Sequence, residues 1–326
     1  MIRLQLDSEA FALREVFTIS RGSKRAAHVV AVTLDDGKHR GRGECVPYAR
    51  YGESVDSVMA QIHDMQNALA NGLDRSGLQN AMPPGAARNA LDCALWDLEA
   101  KRSGQPVWQL AGLAEPQPLQ TAYTLSLDTP QVMREKAARE ATRPLLKLKL
   151  AGDGDLERVQ AVREGAPGAQ IIVDANEGWS VDQLVPFSEA LAALGVSMIE
   201  QPLPADQDEA LADVPHPVPV CADESCHDSS TLAQLAGRYD MVNIKLDKTG
   251  GLTEALVLAQ AAKAAGLQIM TGCMVGSSLA MAPAMLIGQM STVVDLDGPL
   301  LLARDREPGI RFEGSTMYPA PAALWG

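Results

Sequence analysis

Residues 144–150 read PLLKLKL, an apolar run interrupted by Lys147 and Lys149. Four more such runs follow, each ending on an ionisable side chain: IIVDAN on Asp174, MIEQP on Glu200, VCADES on Asp223 and NIKLD on Lys245. Side chains two apart on a strand share a face, so Lys147 and Lys149 point the same way. A charge after an apolar run is costly unless it is paired or binds an ion. Salt bridging at strand ends explains any one of these residues. It does not explain five successive strands ordered Lys-x-Lys, Asp, Glu, Asp, Lys.

Outward from this stretch the same texture continues. Eight short apolar strands are expected at 120–126, 144–150, 170–175, 196–200, 218–222, 240–246, 267–271 and 291–296, with seven helical segments between them. This alternation gives an α/β class, and eight strands is the count of a β/α barrel, here over residues 118–299. An open doubly wound sheet is the other arrangement it allows. Barrel enzymes carry their chemistry at the C-terminal ends of the strands, where the charged series stands.

Residues 1–117 read differently. Strands are expected at 2–18, 27–34 and 39–46, the last after a turn at Asp36-Gly37, with helices at 53–70 and 85–101. Strands followed by helices form a small α+β capping unit, completed by the Pro- and Ala-rich residues at about 300–326. A basic loop, Ser20-Arg21-Gly22-Ser23-Lys24-Arg25, joins the first two strands.

Asp174, Glu200 and Asp223 come from neighbouring strands and can converge on one cation. Carboxylates without histidine or thiolate suit a hard ion, so one magnesium per subunit is expected over zinc. Lys149 and Lys245 come from strands four apart in a ring of eight and would face each other across the mouth. A substrate carboxylate on the cation, with a lysine on either side of its α-carbon, allows a proton to leave one face and return on the other. A free lysine has a pKa of about 10.4 and is a poor base at neutral pH. Lys147 beside Lys149, with a cation close by, is expected to lower it. Lys147 can also reach a substrate carboxylate oxygen.

The formal net charge of −13 disfavours nucleic acid and anionic membranes as partners. The five cysteines include no C-x-x-C pair, which fits reduced thiols in the cytoplasm. The N-terminus does not read as a signal peptide, and no apolar run approaches the roughly 18 residues of a membrane span. Cys221, Cys226 and His227 match no common zinc spacing. Gly250-Gly251 lacks the lysine-serine tail of a P-loop, and no histidine stands where Lys245 does.

The lysine-carboxylate series resembles the muconate-lactonising-enzyme subgroup of the enolase superfamily, whose members join an α+β capping domain to a (β/α)7β barrel. Seven stretches narrow the likeness to bacterial dipeptide epimerases, those acting on L-Ala-D/L-Glu included: GECVPYARYGES (43–54), GAARNALDCALWDLEAK (85–101), VDANEGW (173–179), EQPLP (200–204), ADESCH (222–227), NIKLDKTGGLTEAL (243–256) and DLDGP (295–299). The resemblance implies an isomerase converting L-Ala-D-Glu to L-Ala-L-Glu in the reuse of cell-wall (murein) peptide. A lyase such as o-succinylbenzoate synthase, or an N-acylamino acid racemase, is the alternative on the same fold.

It also implies that Asp295 and Asp297, on one face of the eighth strand, hold the substrate α-ammonium. A basic residue of the 20–25 loop, Lys24 or Arg21 ahead of Arg25, would bind the glutamyl side-chain carboxylate as the loop closes. Thr124 and Gly272-Cys273-Met274 would line the pocket. The sequence departs from the family at Gly276, where many members carry an acidic residue, which bears on fine substrate preference. A small-molecule dipeptide is the expected partner, and relatives are often homo-oligomers.

Overall fold

The computed structural model describes residues 1–326. Three antiparallel strands open the chain: β1 (Arg3–Ile19), β2 (Gly22–Asp35) and β3 (Arg40–Cys45). They are followed by α1 (Val55–Asp64), α2 (Gln66–Ala70), α3 (Arg75–Ala81) and α4 (Ala86–Ser103). The single helix expected over 53–70 is therefore two, and α3 was not foreseen. The basic loop is also shorter than expected. Only Ser20 and Arg21 form the turn, while Ser23, Lys24 and Arg25 belong to β2.

Helix α4 is buried along almost its whole length. Two glycines of β3 let it approach: a Cβ on Gly41 would stand 2.1 Å from Ala94 O, and one on Gly43 2.1 Å from Ala90 O. The same helix joins the cap to the barrel. Asp92 accepts hydrogen bonds from Thr253 N (2.9 Å) and Thr253 Oγ1 (2.6 Å), and Arg88 donates to the carbonyls of Thr249 and Gly250.

After α5 (Val107–Leu110) and a short strand β4 (Leu119–Gln120), eight parallel strands follow in sequence order. They are β5 (Tyr123–Leu125), β6 (Leu145–Lys149), β7 (Gln170–Asp174), β8 (Val196–Glu200), β9 (Val220–Ala222), β10 (Met241–Ile244), β11 (Gln268–Thr271) and β12 (Val293–Val294). Ala122 N donates to Val294 O at 2.8 Å, bringing the two ends of the sheet together. The sheet is a ring, and the open doubly wound arrangement is excluded. No helix is long and apolar enough to cross a membrane.

Each of the seven connections between strands carries a helical segment, but not all are full helices. Full helices α6 (Pro130–Arg139), α7 (Asp155–Gly165) and α8 (Val181–Ala193) follow β5, β6 and β7. Between β8 and β9 there is only a 3-10 turn, Asp208–Ala212, and between β9 and β10 a single helical turn, α9 (Leu232–Leu235). Prolines at 202, 204, 215, 217 and 219 crowd the first of these connections. Each removes a backbone donor and disfavours helix at the residue before it. Beyond β10 come α10 (Leu246–Thr249) and α11 (Leu252–Ala264), and beyond β11 comes α12 (Ser278–Gly288). The chain then passes through α13 (Gly298–Leu301) and ends against α4, where Trp325 Nε1 donates to Cys93 O at 3.0 Å.

Six residues plug the barrel floor: Ala122, Ile172, Met198, Cys221, Met241 and Met270. With a two-residue period the next inward positions up the strands are Thr124, Asp174, Glu200, Asp223, Asn243 and Gly272. The polar layer thus stands one step above an apolar plug.

Candidate active site

Strand register sets the polar layer. Lys149 pairs with Asp174 across β6 and β7, and Asp174 with Glu200 across β7 and β8. Asp223 follows β9 immediately and Lys245 follows β10. One oxygen each from Asp174, Glu200 and Asp223 lies within 4.8 Å of the others, and all three residues are buried. No cysteine or histidine joins them. Cys221 faces the floor and Cys226 packs into the outer core, so the zinc alternative has no geometry behind it.

The lysines converge on this triad. Lys149 Nζ lies 2.5 Å from Asp174 Oδ2, and Lys245 Nζ 2.5 Å from Asp223 Oδ2. Lys147 Nζ, one step deeper, lies 2.5 Å from Glu200 Oε2, 2.7 Å from Asp295 Oδ2 and 3.3 Å from Asp174 Oδ2. Its approach to Glu200 Oε2 lacks hydrogen-bond geometry, which leaves that buried oxygen without a donor. An orphaned carboxylate oxygen within an all-oxygen group fits a hard divalent cation.

Lys245 and Lys147 are raised by the protein groups around them. Burial lowers the Lys245 ammonium, but Asp223 and Glu200 outweigh it and hold the pKa well above the ordinary value. Lys147 is raised in the same way by Asp295, Glu200 and Asp174. Among the carboxylates, burial and the Asp174 charge push Glu200 up to about 7, whereas Lys149 and Lys147 overcome burial at Asp174 and hold it near 2.

Two site residues went unnoticed in the sequence. Lys248 Nζ donates to Asp223 Oδ1 (2.6 Å) and to the Asn243 carbonyl (2.9 Å), and Asn243 Nδ2 donates to Glu200 Oε1 (2.7 Å). Both had a signal. Asn243 shares the inward face with Lys245, and Lys248 sits one helical turn beyond it.

Asp295 and Asp297 follow β12 rather than lying on it, and Asp297 caps α13. Both nevertheless line the same cavity of about 490 Å³, together with Lys24, Thr124, Lys147, Lys149, Lys245, Cys273 and Met274. Asp297 Oδ2 accepts from Thr124 N at 2.6 Å. Burial and the neighbouring Asp295 push its carboxyl up to about 7. Asp295 Oδ1 is buried with no partner. A larger depression of about 930 Å³ on the cap, beside α3, contains none of these groups.

The basic residues differ in their partners. Lys24 lines the cavity, stands over the Phe17 ring, and makes no ion pair. Burial, then the positive charges of Lys149 and Lys245, lower it to about 8. Arg21 lines the same cavity, but its guanidinium is paired with Glu224 and Glu177. Arg25 is exposed and outside the cavity lining.

Residues 1–112 match the mandelate racemase / muconate lactonizing enzyme N-terminal domain, and residues 132–307 the enolase C-terminal domain-like family. The chain belongs to the mandelate racemase and muconate lactonizing enzyme family. One member of the family, L-Ala-D/L-Glu epimerase of Escherichia coli (strain K12), is 49% identical over 98% of this chain and 100% of its own. An N-acetyl-D-glutamate racemase of a Pseudoalteromonas species is 47% identical over 91% of this chain and 95% of its own. Among solved structures of the family, an enolase family member from Agrobacterium tumefaciens has homology to dipeptide epimerases. It superposes with a TM-score of 0.99 at 54% identity, covering all of both chains. That structure holds bound sodium and L-Ala-L-Glu, with an ordered loop.

Proposed function

We propose that the protein is a cytoplasmic dipeptide epimerase that interconverts L-Ala-D-Glu and L-Ala-L-Glu in the reuse of murein peptide. One observation carries this reading: a single cavity holds two lysines on opposite arcs of a carboxylate triad and, beyond them, a buried aspartate pair. The pair suits an ammonium and the triad a cation, and the α-carbon of a dipeptide's second residue falls between them.

Asp174, Glu200 and Asp223 hold one Mg2+. When bound, it supplies Lewis-acid stabilisation of the charge that grows on the substrate carboxylate as the α-proton leaves. Lys149 and Lys245 stand on the two faces of the α-carbon. The neutral lysine takes the proton and the protonated one delivers its own to the opposite face, so the centre inverts. Lys147, deep and firmly protonated, donates to a carboxylate oxygen. Asp295 and Asp297 receive the α-ammonium, and Asp295 Oδ1 has its accepting capacity free. Lys24 binds the glutamyl side-chain carboxylate, with Thr124, Cys273 and Met274 as walls.

A second reading, racemisation of N-acylglutamate, is favoured by the Pseudoalteromonas relative and by the ease with which Asp297 takes a proton. Incubation with Mg2+ in deuterated water separates the two. Exchange of the glutamyl α-proton of L-Ala-D-Glu, with the L,L isomer appearing, supports the first. Exchange confined to N-acetyl-D-glutamate supports the second, and exchange with neither sinks both. A lyase substrate without an ammonium would leave the aspartate pair unused.

A further inference from the structure

We propose that Arg21 is a positioning residue, a clasp that fastens the β1–β2 turn to the strand ends bearing two of the triad carboxylates. Its guanidinium donates through one nitrogen to Glu224 Oε1 at 2.6 Å and to the Tyr48 hydroxyl at 2.9 Å. Through the other it donates to the Asn176 carbonyl at 2.8 Å and to Glu177 Oε2 at 3.2 Å. Glu224 follows Asp223 directly, and Asn176 lies two residues beyond Asp174. One side chain of the cap therefore spans the ends of β7 and β9.

The ground beneath the clasp is strained. Asn176 and Glu177 have φ of 45° and 65°, in the left-handed region that non-glycine residues adopt only where the surroundings hold them there. What holds them is electrostatic. Glu177 is gripped by Arg50 through two 2.8 Å bonds and accepts from Ala205 N, while Ser20 Oγ adds a bond to the Asn176 carbonyl. Asn176 N in turn donates to Asp174 Oδ1 at 2.9 Å, so the loop that Arg21 fastens is bonded to a triad carboxylate.

The same geometry assigns Arg21 and Lys24 different work. Four acceptors already occupy the Arg21 fork, and its bond to Glu224 is charge-assisted at both ends. Lys24 has no acid partner and faces the cavity. Arg21 thus closes the turn over any substrate, and Lys24 reads the side-chain carboxylate. This rests on the epimerase reading of the cavity.

Trypsin tests it, because Lys24 and Arg25 lie on the strand that the clasp holds down. In Arg21→Gln, cleavage after Lys24 and Arg25 accelerates by about tenfold to a hundredfold, the worth of bonds to a charged group. Arg21→Lys keeps the charge without the fork and gives an intermediate rate. In Arg21→Gln, kcat/KM falls by a common factor for L-Ala-D-Glu and L-Ala-D-Met, whereas Lys24→Gln loses only the glutamyl substrate. Cleavage of Arg21→Gln at the wild-type rate overturns the proposal, as does a loss confined to L-Ala-D-Glu. If the wild-type protein turns over neither dipeptide, the epimerase reading fails while the trypsin result still decides the clasp.

Discussion

Lys147 and Asp295 meet in a buried 2.7 Å ion pair, and the same ammonium lies 2.5 Å from Glu200. One lysine thereby ties the aspartate pair to the carboxylate triad. Replacing it with Met leaves three buried carboxylates without that partner. Breaking such an arrangement costs about 3–5 kcal/mol. The unfolding midpoint of Lys147→Met is expected to drop most in chelator and less in Mg2+, as read by calorimetry. Equal drops in both would mean that the lysine and the cation do not share the carboxylates.

On the proposed mechanism the buried Lys149 and Lys245 act on opposite faces, so losing one should not stop all chemistry. Lys149→Ala and Lys245→Ala are each expected to lower epimerisation by about 10²–10⁴-fold, the worth of a positioned acid or base. Each should still exchange the α-proton of one diastereomer without inverting it. NMR in deuterated water with each pure diastereomer checks this. Exchange of both diastereomers by either variant would refute the two-face assignment.

On the proposed reading, Asp297 is expected to set the pH response of ammonium binding. Its carboxyl is pushed up to about 7 by burial and Asp295, so it becomes charged as pH rises through that value. KM for L-Ala-D-Glu is expected to fall from pH 6 to pH 8. In Asp297→Asn the fall should disappear, with KM staying near the wild-type value at pH 6, while turnover of N-acetyl-D-glutamate is not lowered.

Asp247 makes the cap's attachment sensitive to pH. It is buried, accepts from Val46 N at 3.0 Å and Asn89 Nδ2 at 2.8 Å, and is pushed up to about 7 by burial, with Glu53 and Glu44 adding to it. The folded value lies above the unfolded one, so this group's contribution is fully present below about 4 and is lost as pH rises through about 7. Asp247→Asn keeps the accepting oxygen without the charge. Its unfolding midpoint, relative to wild type, is expected to improve between pH 5 and pH 8, and a constant difference would discount the titration.

The sequence disclosed most where charge interrupted apolar periodicity. Lys147, Lys149, Asp174 and Glu200 sit on strands whose two-residue alternation fixes their face, so the strand pattern alone placed them. Asp295 and Asp297 were read as strand residues because their spacing is also two, yet β12 stops at Val294. The connections after β8 and β9 looked helical by composition, but prolines crowd one and the other is barely a turn long. Lys248 and Asn243 were less legible, since Asn243 is an uncharged residue within β10 and Lys248 lies on α10 beyond the strand end. Arg21 and Lys24 could not be told apart, since nothing local in a basic hairpin says which cation meets an acid and which meets the cavity.

The stacking of Asp174, Glu200 and Asp223 on Ile172, Met198 and Cys221 also constrains how this protein can change over time. Inserting or deleting one residue in β7 would turn Asp174 toward the surrounding helices and put an apolar neighbour in the mouth. New chemistry in this scaffold must therefore arrive by exchanging residues in place, and length variation is confined to segments such as the proline-rich link after β8.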